Sequence, residues 1–591
     1  MNIESSLKSA IQQALTALFN IEETVILQPT KSDFEGHYTY VVFPLVKQLR
    51  KSPADIANAI GEYLKSNTPY ISNYNVVQGF LNLVLNDSVW FDTLNTILAD
   101  KNFGFLPKNS QSVMVEYSSP NTNKPLHLGH LRNNFLGFSV SQILEAGGYN
   151  VVKTCLVNDR GVHICKSMWA YQQFGNGETP ESSGLKGDHL AGKYYVIFDK
   201  HYKSEIDALV KEGMPEEEAK KNAPAMKAVQ EMLVKWEQGD EQTVALWKKM
   251  NNWVFAGFDE TYKKIGVSFD KTYYESNTYL LGKDVVEEGL AKGVFFKKEN
   301  GSVWVDLKEE GLDEKLVLRA DGTSVYITQD LGTTDMKFHD FNNNKSIWVV
   351  GNEQDYHFQV LFAILKKLGR SYAEGCYHLS YGMVDLPSGK MKSREGTVVD
   401  ADELVAEMVE TAETTTRERG KIDDFSTDEA EKLFQMLALG ALKYFLLKVE
   451  PKKRMLFNPA DSIDFQGNTG PFIQYTHARI CSILRKAIAQ GITVGEQVKN
   501  VELAKIEAQL IFILGEYPSA IRKAGDEYAP SVIANYTYEL AKTFNQFYAE
   551  VSIMNEPDTE KQLFRLALIK LVAETIKKAT ALLGIEVPNR M

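Results

Sequence analysis

The sequence predicts a multidomain α/β protein. It would consist of a small α+β N-terminal domain, a Rossmann-like parallel-sheet central domain with a helical insertion, and an all-α C-terminal bundle. At 591 residues the chain is too long for one hydrophobic core. The consecutive segments SVMVEYSS, LGHLRNNFLGFSVSQILEAGG and NVVKTCLVND alternate strand, helix and strand patterns, which is typical of a parallel sheet. Beyond about residue 450 the apolar spacing is almost purely helical, which indicates a separate bundle.

The N-terminal domain is expected to span residues 1–108. Its first segment, MNIESSLKSAIQQALTALF, has apolar residues at helical spacing and lacks arginine, which favours a folded helix over a targeting peptide. SPADIANAIGEYLK continues the helical pattern, and NVVQGFLNLVLN has the pattern of a strand. The turn-rich segment FGFLPKNSQS then serves as a linker.

The central domain is expected to span residues 109–450, and the bundle residues 451–591. Within the central domain, residues 170–268 are charged and helical in pattern, so we interpret them as an insertion. Strand-like segments follow as GSVWVDL, SVYITQD and SIWVVG, and VLFAILKKLG predicts another helix.

Composition limits the class of protein. Hydrophobic residues at 44% and charged residues at 24% are ordinary for a globular protein, and no apolar run approaches the roughly 20 residues that span a bilayer. The four cysteines never form CxxC, which excludes the usual zinc-ribbon spacing and favours a reducing cytoplasm: Cys155, Cys165, Cys376 and Cys481. The net charge of −12 argues against a nonspecific polyanion binder but allows a local basic surface.

The segment SSPNTNKPLHLGH, residues 118–130, lies between a predicted strand and a predicted helix. His127 and His130 are three residues apart and therefore share a face at the first helical turn, and Gly129 leaves room beside them. A helix N-terminus offers free N–H groups to phosphates. The segment predicts a nucleotide phosphate site, although histidines that only cap the helix would give the same pattern.

A second basic segment supports phosphate chemistry. LPSGKMKSREGTVV places Lys390, Lys392 and Arg394 between two glycines, and such a loop can close over a triphosphate and neutralise pyrophosphate. Alone, a run of this kind is more often a solvated surface. An upstream HxGH makes the combination more specific.

HLGH and KMKSREG resemble the two signature motifs of class I aminoacyl-tRNA synthetases, usually written HIGH and KMSKS. More narrowly, EYSSPNTNKPLHLGHLRNNFLG resembles the arginyl-tRNA synthetase form of the first motif. YITQD, NEQDYH, GNTGPFIQYTHARI and the terminal GIEVPNRM resemble the same family in the same order.

The resemblance implies a ligase that activates L-arginine with ATP and transfers it to the 3′ end of tRNA(Arg). It also implies that Mg²⁺ accompanies ATP, that tRNA is required for activation, and that the protein is a monomer without membrane attachment. No structural metal site is expected.

The resemblance places residues around both small substrates. Because a guanidinium is a rigid cationic fork, its pocket needs carboxylates and planar hydrogen-bond partners. The arginine site is expected to comprise Glu116, Ser119, Asn121, His130, Glu275, Tyr326, Asp330 and Gln354. The ATP site is expected to comprise His127, Gly129, His130, Gly382, Met383, Val384 and Lys390.

Two departures from the family pattern matter. Ser393 stands where the second lysine of KMSKS stabilises the transition state, and our hypothesis is that Lys124 supplies this charge, with Lys392 as the competitor. The catalytic group is therefore expected to be His127, His130, Lys124, Lys390 and Lys392. NDRGVHICKS departs from the family's DWGTQFG at Arg160 and His163; a structural role is the simpler interpretation of His163.

The C-terminal bundle resembles the family's anticodon-binding domain, and Tyr475, Arg479 and Met591 are the residues expected to bind tRNA. Neighbouring cations and aromatics fit a surface that follows a phosphate backbone and stacks on bases, namely PKKR at 451–454, Arg485 and Lys486. The N-terminal domain, with SDFEGHYTY, resembles the family's added domain that contacts the tRNA elbow. We expect the basic residues to segregate onto one face.

Two other functions remain open from the residues alone. A small-molecule nucleotidyltransferase shares HxGH, but does not need a large helical C-terminal domain. A synthetase-like protein that binds RNA without catalysis would not need intact HLGH, KMK and YITQD segments.

Overall fold

The computed structural model describes residues 3–31, 33–385, 399–418, 422, 424–495 and 497–591. Lys390, Lys392 and Arg394 lie outside the described residues. The predicted fold class is confirmed, because an antiparallel α+β unit, a parallel sheet with helices and a helical C-terminal part follow each other along the chain.

The N-terminal part is a four-stranded antiparallel sheet packed against helices. The elements in order are α1 (Ile3–Phe19), β1 (Leu27–Pro29), β2 (Tyr38–Val41), α2 (Phe43–Leu49), α3 (Pro53–Asn67), β3 (Ile71–Val77), β4 (Phe80–Leu85) and α4 (Asp87–Ala99). The strand order is β1-β2-β4-β3. The segment expected to be strand is a hairpin, because Gln78 and Gly79 adopt positive φ of 49° and 86° and turn the chain.

The central part begins with a parallel βαβ unit and the helical insertion. Its elements are β5 (Ser112–Glu116), α5 (Leu128–Ala146), β6 (Asn150–Val157), α6 (Val162–Phe174), α7 (Pro180–Ser183), α8 (Gly187–Lys211), α9 (Glu216–Asn222), α10 (Pro224–Glu237) and α11 (Glu241–Ile265). Helix α5 ends at Gly147, as its sequence predicts.

The second half of the central part returns to the sheet. Its elements are β7 (Lys271–Tyr274), α12 (Glu275–Thr278), α13 (Lys283–Ala291), β8 (Phe295–Lys297), β9 (Val303–Val305), β10 (Lys315–Leu318), α14 (Tyr326–Phe341), β11 (Lys345–Gly351), α15 (Asp355–Lys367), β12 (Cys376–Tyr381) and β13 (Val384–Asp385). SVYITQD was expected to be strand and is instead the start of α14. The Thr328 hydroxyl there accepts a hydrogen bond from Val325 N–H and donates to Val317 O.

Five parallel strands form the main sheet in the order β12-β11-β5-β6-β7. Parallel strands present their carboxyl ends at one edge, where ligands of open α/β sheets bind. The HLGH segment follows β5, Asp159 follows β6, Glu275 follows β7, Gln354 follows β11 and Gly382 follows β12. The topology therefore collects most of the expected site residues at one edge.

The remaining elements are helices and one short strand. They are α16 (Ala401–Glu418), α17 (Thr427–Leu447), β14 (Met455–Leu456), α18 (Pro459–Ser462), α19 (Gly470–Ala489), α20 (Lys505–Gly515), α21 (Tyr517–Glu527), α22 (Pro530–Glu550) and α23 (Thr559–Leu582). One continuous core joins buried residues of all three parts, for example Leu83, Val115 and Leu568. Within the described ranges, no helix is both long and apolar enough to cross a bilayer.

Candidate active site

The two histidines of HLGH cap helix α5 reciprocally. His127 is the N-cap residue, and its Nδ1 accepts a hydrogen bond from Gly129 N–H at 3.2 Å. The His130 Nδ1 accepts from the His127 N–H, also at 3.2 Å, and the two ring centroids are 3.9 Å apart. The capping interpretation and the phosphate-site interpretation are therefore compatible, because Nε2 lies on the opposite side of each ring from the capping atom.

Burial keeps both imidazoles neutral. It lowers the pKa of His127 to about 4, and the charge of Lys124 adds to the effect. Burial likewise lowers the pKa of His130 well below its usual value, assisted by His127 and Lys124. A neutral ring whose Nδ1 accepts a hydrogen bond carries its proton on Nε2. Each ring can thus donate one Nε2–H to a ligand oxygen at the start of a helix.

Lys124 lies beside this pair. Its side chain is partly buried, which lowers its pKa, and its charge acts on the pKa of His127, His130 and His163. Burial leaves an ammonium group poorly compensated by water, so an anionic ligand nearby would be bound strongly. The expected alternative, Lys392, is outside the described residues, as is Lys390.

The chain that follows the KMK segment pairs with the HLGH segment. Leu128 N–H donates to Val399 O at 3.0 Å, and Ala401 N–H donates to Leu126 O at 2.9 Å. His127 and Asp400 face each other in this antiparallel bridge. Residues 399–401, which follow the second motif in sequence, are therefore held beside HLGH at the same sheet edge.

Arg132, which the sequence interpretation missed, connects helix α5 to the expected adenine-side segment 382–384. It is fully buried, and its Nη1 donates to Gly382 O at 2.5 Å and to Met383 O at 3.4 Å. Its Nη2 donates to Pro451 O at 3.0 Å and to Lys453 O at 2.9 Å. The available signal was an arginine in the second turn of a helix with Leu128, Phe135 and Leu136 on the same face.

The segment around Gly382 is fixed against the chain at 451–456. A Cβ at Gly382 would lie 2.7 Å from Arg454 N, so the close approach requires glycine. Val384 lies in β13, which pairs in parallel with β14, and the Met383 side chain is 41% exposed. An exposed apolar side chain here is available to a flat ligand such as adenine.

Acidic residues gather around Glu275. Its pKa is raised mainly by burial, and the charges of Asp159 and Asp330 raise it further, while that of Arg160 opposes the rise. The Asp330 carboxylate contacts His357 Nε2 at 2.6 Å. A half-buried carboxylate among other carboxylates is a site that a cation would stabilise.

The other expected arginine contacts differ in exposure. Tyr326, the first residue of α14, is 79% exposed, and Asn121 and Gln354 are exposed near the ends of their strands. Ser119 has a left-handed φ of 45°, a strained conformation found at functional sites. Glu116 is 5% exposed and forms a buried ion pair with Lys337, beneath the other residues.

Arg160 ties the insertion to the acidic pocket. Its Nη2 lies 2.5 Å from the Glu237 carboxylate at the end of α10. Its guanidinium lies 3.9 Å from the Tyr279 ring centroid and 5.1 Å from that of Trp236. The exposed His163 contacts the Tyr195 hydroxyl at 3.1 Å, and its structural role stays a prediction.

The expected tRNA-binding residues lie on and near α19. The Arg479 guanidinium is 4.8 Å from the Tyr475 ring centroid and 5.3 Å from that of Tyr548, and it also bonds Asn545. Met591 packs against the same core through its partly buried side chain.

The chain end is pinned along α19, and two of the PKKR cations are already paired. Arg485 donates to Asn589 O at 2.7 Å. Lys453 lies 3.3 Å from Glu450, and Arg454 donates to Asp385 at 2.9 Å. The free charge available to a phosphate backbone is therefore smaller than the sequence indicates.

Family models match almost the whole chain. Residues 93–458 match the model described as tRNA synthetases class I (R), catalytic domain. Residues 473–591 match the DALR anticodon binding domain, and residues 3–85 match the arginyl tRNA synthetase N terminal domain.

Curated relatives match over full length. The arginine–tRNA ligase of Amoebophilus asiaticus is 58% identical over 596 residues, and that of Bacteroides thetaiotaomicron is 56% identical over 597, each covering 100% of both chains. The solved Thermus thermophilus arginyl-tRNA synthetase superposes with a TM-score of 0.80 at 25% identity, covering 99% of this chain and 100% of that one.

Proposed function

The chain belongs to the arginyl-tRNA synthetase family, and we propose that its paired imidazoles, Lys124 and the carboxylates Glu275 and Asp330 carry out the family's reaction. It is an arginine–tRNA ligase, which activates L-arginine with ATP and transfers it to the 3′ end of tRNA(Arg). This full-length similarity excludes the two alternative functions, a small-molecule nucleotidyltransferase and a non-catalytic RNA-binding protein.

In the first step, a carboxylate oxygen of arginine forms a bond to the α-phosphorus of ATP. The bond from that phosphorus to the bridging oxygen breaks, and pyrophosphate leaves. Negative charge grows on the phosphate oxygens, so donors fixed in advance stabilise the transition state. The Nε2–H groups of His127 and His130, the N-terminus of α5 and the ammonium of Lys124 supply such donors.

The arginine pocket carries the proposal. Glu275 is half-buried, and its pKa is raised by burial and by its neighbours Asp159 and Asp330. A bound guanidinium would stabilise its charged form. Tyr326 stands one helical turn before Asp330. Ser119, Asn121 and Gln354 are assigned to the α-amino and carboxylate end, and Glu116 supports them from beneath through Lys337.

On the nucleotide side, Gly129 lets the phosphates approach the backbone, and Gly382, Met383 and Val384 take the adenine. Arg132 supports this assignment because it fixes the 382–384 segment to the helix that carries both histidines. Lys390 would reach the leaving phosphates.

Mg²⁺ would enter bound to the ATP phosphates, because this ion keeps much of its water and rarely uses an all-protein cage. Asp188, His189 and Asp402 have ligand spacing, but the Lys186 ammonium already lies among them. The residues present therefore fit delivery by ATP better than a resident ion.

For tRNA, we propose that residues 451–591 read the anticodon side with Tyr475, Arg479 and Met591, and that residues 1–108 contact the elbow. The catalytic domain would comprise residues 109–450 with its insertion at about 170–268. We propose that the protein acts as a monomer in the cytoplasm and that tRNA must bind before arginine is activated.

Arginine-dependent ATP–pyrophosphate exchange tests the proposal. Exchange is expected with arginine and tRNA(Arg) together and to be lost without tRNA. Lysine should be rejected by roughly 10⁴-fold in kcat/KM, because a single ammonium leaves one of the paired carboxylates unmatched. Comparable exchange with lysine would contradict the assigned pocket, and exchange without tRNA would contradict the ordered mechanism.

A further inference from the structure

A partly buried cluster of five ionisable side chains lies beside the HLGH segment. It joins the start of α8 in the insertion to the start of α16. The Lys186 Nζ is 3.2 Å from the Asp188 carboxylate and also contacts Asp402. The His189 Nε2 is 3.3 Å from Asp400 and 3.4 Å from Asp402.

The cluster is built, not incidental. Asp188 is fully buried, and its carboxylate fits because Gly257 on α11 has no side chain; a Cβ there would lie 2.4 Å from Asp188 Oδ1. The Lys186 Nζ also donates to the Thr261 hydroxyl of α11 at 2.6 Å. Three helices therefore meet at one ammonium group.

The charged groups of the cluster stabilise one another's charged forms. Burial alone would lower the pKa of His189, but the nearby carboxyl groups of Asp400 and Asp402 outweigh burial and raise it to about 10. Asp402 keeps a pKa below its usual range despite burial, because His189, Lys186 and Lys264 surround it. The cationic His189 and Lys186 therefore face the carboxyl groups of Asp188, Asp400 and Asp402.

The spacing of Asp188, His189 and Asp402 also suits a metal ion. The ammonium of Lys186, however, already supplies a positive charge between Asp188 and Asp402, where an ion would bind. A metal would have to displace it and face a protonated His189. The cluster is consequently better explained as an ion-pair network.

This network leads directly to the catalytic groups. Asp400 is the residue that faces His127 in the backbone bridge, and its neighbours Val399 and Ala401 hold Leu128 and Leu126. On the other side, α8 packs on the segment that carries Lys124. A Cβ at Gly192 of α8 would lie 3.0 Å from Pro125 and 3.7 Å from the Lys124 Cα.

We propose that Lys186 and His189 are positioning residues of the activation step. Through Asp400 and Asp402 they hold residues 399–401 against the HLGH backbone, and so fix His127 relative to Lys124. They do not touch substrate. The proposal rests on the assignment of His127 and Lys124 to the ATP phosphates.

The test measures exchange kinetics, with arginine, ATP and tRNA(Arg), for Lys186→Met, His189→Gln and Asp402→Asn. A small displacement of transition-state donors is expected to lower kcat by about tenfold or more, with KM for arginine within twofold of wild type, because the acidic pocket is untouched. Lys186→Arg keeps the charge and should recover most of kcat.

Lys193→Gln is the matched control. Lys193 lies two turns beyond Lys186 on α8, and its ion pair is with Glu178 at 2.8 Å, not with Asp400 or Asp402. Its kcat should stay at the wild-type value. Lys186→Met combined with Asp402→Asn should cost no more than the worse single variant, since the two residues act as a unit.

Three results would decide against the proposal or its premise. Wild-type kcat in both Lys186→Met and Asp402→Asn would overturn it; Asp402→Asn keeps the side-chain shape, so it stays informative if Lys186→Met fails to fold. A melting temperature raised by MgCl₂ or ZnCl₂ alone in wild type, but not in Asp402→Asn, would overturn it in favour of a metal site. Absence of arginine-dependent exchange in the wild type would instead overturn the proposed function.

Discussion

At the scale of single residues, the protonation state of the HLGH imidazoles sets their role. Because burial lowers the pKa of His127 to about 4, the ring is neutral throughout the physiological range and acts as a hydrogen-bond donor. A neutral donor loses no proton to the reaction, so its contribution does not depend on pH near neutrality. The same burial has a cost in acid, because the unfolded chain can protonate what the folded chain cannot.

His127→Gln tests both consequences. Removing one transition-state donor should lower kcat of exchange by about 10². The folded pKa lies below the unfolded value of 6.5, so wild type should lose melting temperature relative to the variant as pH falls from 6.5 to 4. His37, whose pKa burial also lowers to about 4, gives the control: His37→Gln should show the same thermal trend with unchanged kcat.

Lys124→Ala tests the origin of the missing charge of the second motif. We expect kcat of exchange to fall by about 10²-fold, because the ammonium acts beside the phosphates in a poorly hydrated site. Lys166→Ala, which removes a neighbouring cation that packs 5.4 Å from the Phe198 ring, serves as control and should leave kcat unchanged. Near-normal exchange in Lys124→Ala, with exchange abolished in Lys392→Ala, would assign the charge to Lys392.

Glu275→Gln separates binding from stability. The variant loses a charge-assisted pair with the substrate guanidinium, so KM for arginine should rise by roughly 10–100-fold. Its melting temperature without arginine should rise, because burial of the charge, together with repulsion from Asp159 and Asp330, outweighs the attraction to Arg160 that is also lost. Glu288→Gln is the contrast: it breaks the pair with Arg370 at 2.7 Å and should lower melting temperature without changing KM.

At the scale of elements, the sequence pattern predicted correctly those helices and strands that are determined by interactions within a few residues. The HLGH helix, its glycine end and the flanking strands β5 and β6 were predicted because apolar spacing and capping act within a few residues. The strand predicted for SVYITQD was wrong. Its β-branched residues favour a strand, but the Thr328 hydroxyl donates a hydrogen bond to the Val317 carbonyl of β10 at the point where helix α14 starts. The turn at Gln78 and Gly79 was missed because only the glycine signalled it.

The site residues show the same difference between local and long-range interactions. The motif positions could be located from sequence, because the family motif fixes their order, and the roles of their residues stay predictions. Arg132 and Arg160 could not, because their partners lie more than 70 residues away and depend on how the sheet brings its edges together. Likewise, the pairing of Glu116 with Lys337 becomes visible only once α14 is placed behind the sheet.

Arg132→Met tests the connection between α5 and the adenine side. Four backbone carbonyls would lose their donor in a buried site, so the free energy of unfolding should fall by roughly 2–4 kcal/mol and KM for ATP should rise. Arg454→Met is the matched control, because Arg454 links the same two chain segments through Asp385 but its side chain is 73% exposed. That variant should leave the free energy of unfolding close to the wild-type value. An unchanged KM for ATP in Arg132→Met would argue against the adenine assignment.

At the scale of the whole molecule, the N-terminal and C-terminal parts are packed on each other. Tyr38 donates to Glu516 at 2.5 Å, and Trp90 and Phe512 approach edge to face with centroids 6.3 Å apart. No local pattern predicts such contacts, because they join residues more than 400 positions apart. The packing gives the proposed elbow-binding and anticodon-binding parts a fixed relation, which a single tRNA could then span.

Arg479→Gln tests whether tRNA binding at α19 affects the reaction at the active site. If α19 binds tRNA and tRNA is required for activation, the variant should raise KM for tRNA several-fold in both exchange and aminoacylation, while KM for arginine stays unchanged. Because the chain has a net charge of −12, its binding to tRNA phosphates depends on individual cations at the interface. Removing one of them should reduce the slope of tRNA affinity against salt concentration by close to one phosphate contact.

Arg417→Gln is the control, because Arg417 is an exposed arginine of α16 paired with Glu413 at 2.7 Å and lies on no surface assigned to tRNA. A raised KM for tRNA in aminoacylation but not in exchange would mean that tRNA binds α19 without governing activation. Equal effects in Arg479→Gln and Arg417→Gln would mean that the loss is one of overall charge. Only a KM for tRNA that rises in Arg479→Gln, but not in Arg417→Gln, and does so in both reactions, supports the proposal that tRNA binding to the C-terminal bundle is required for arginine activation.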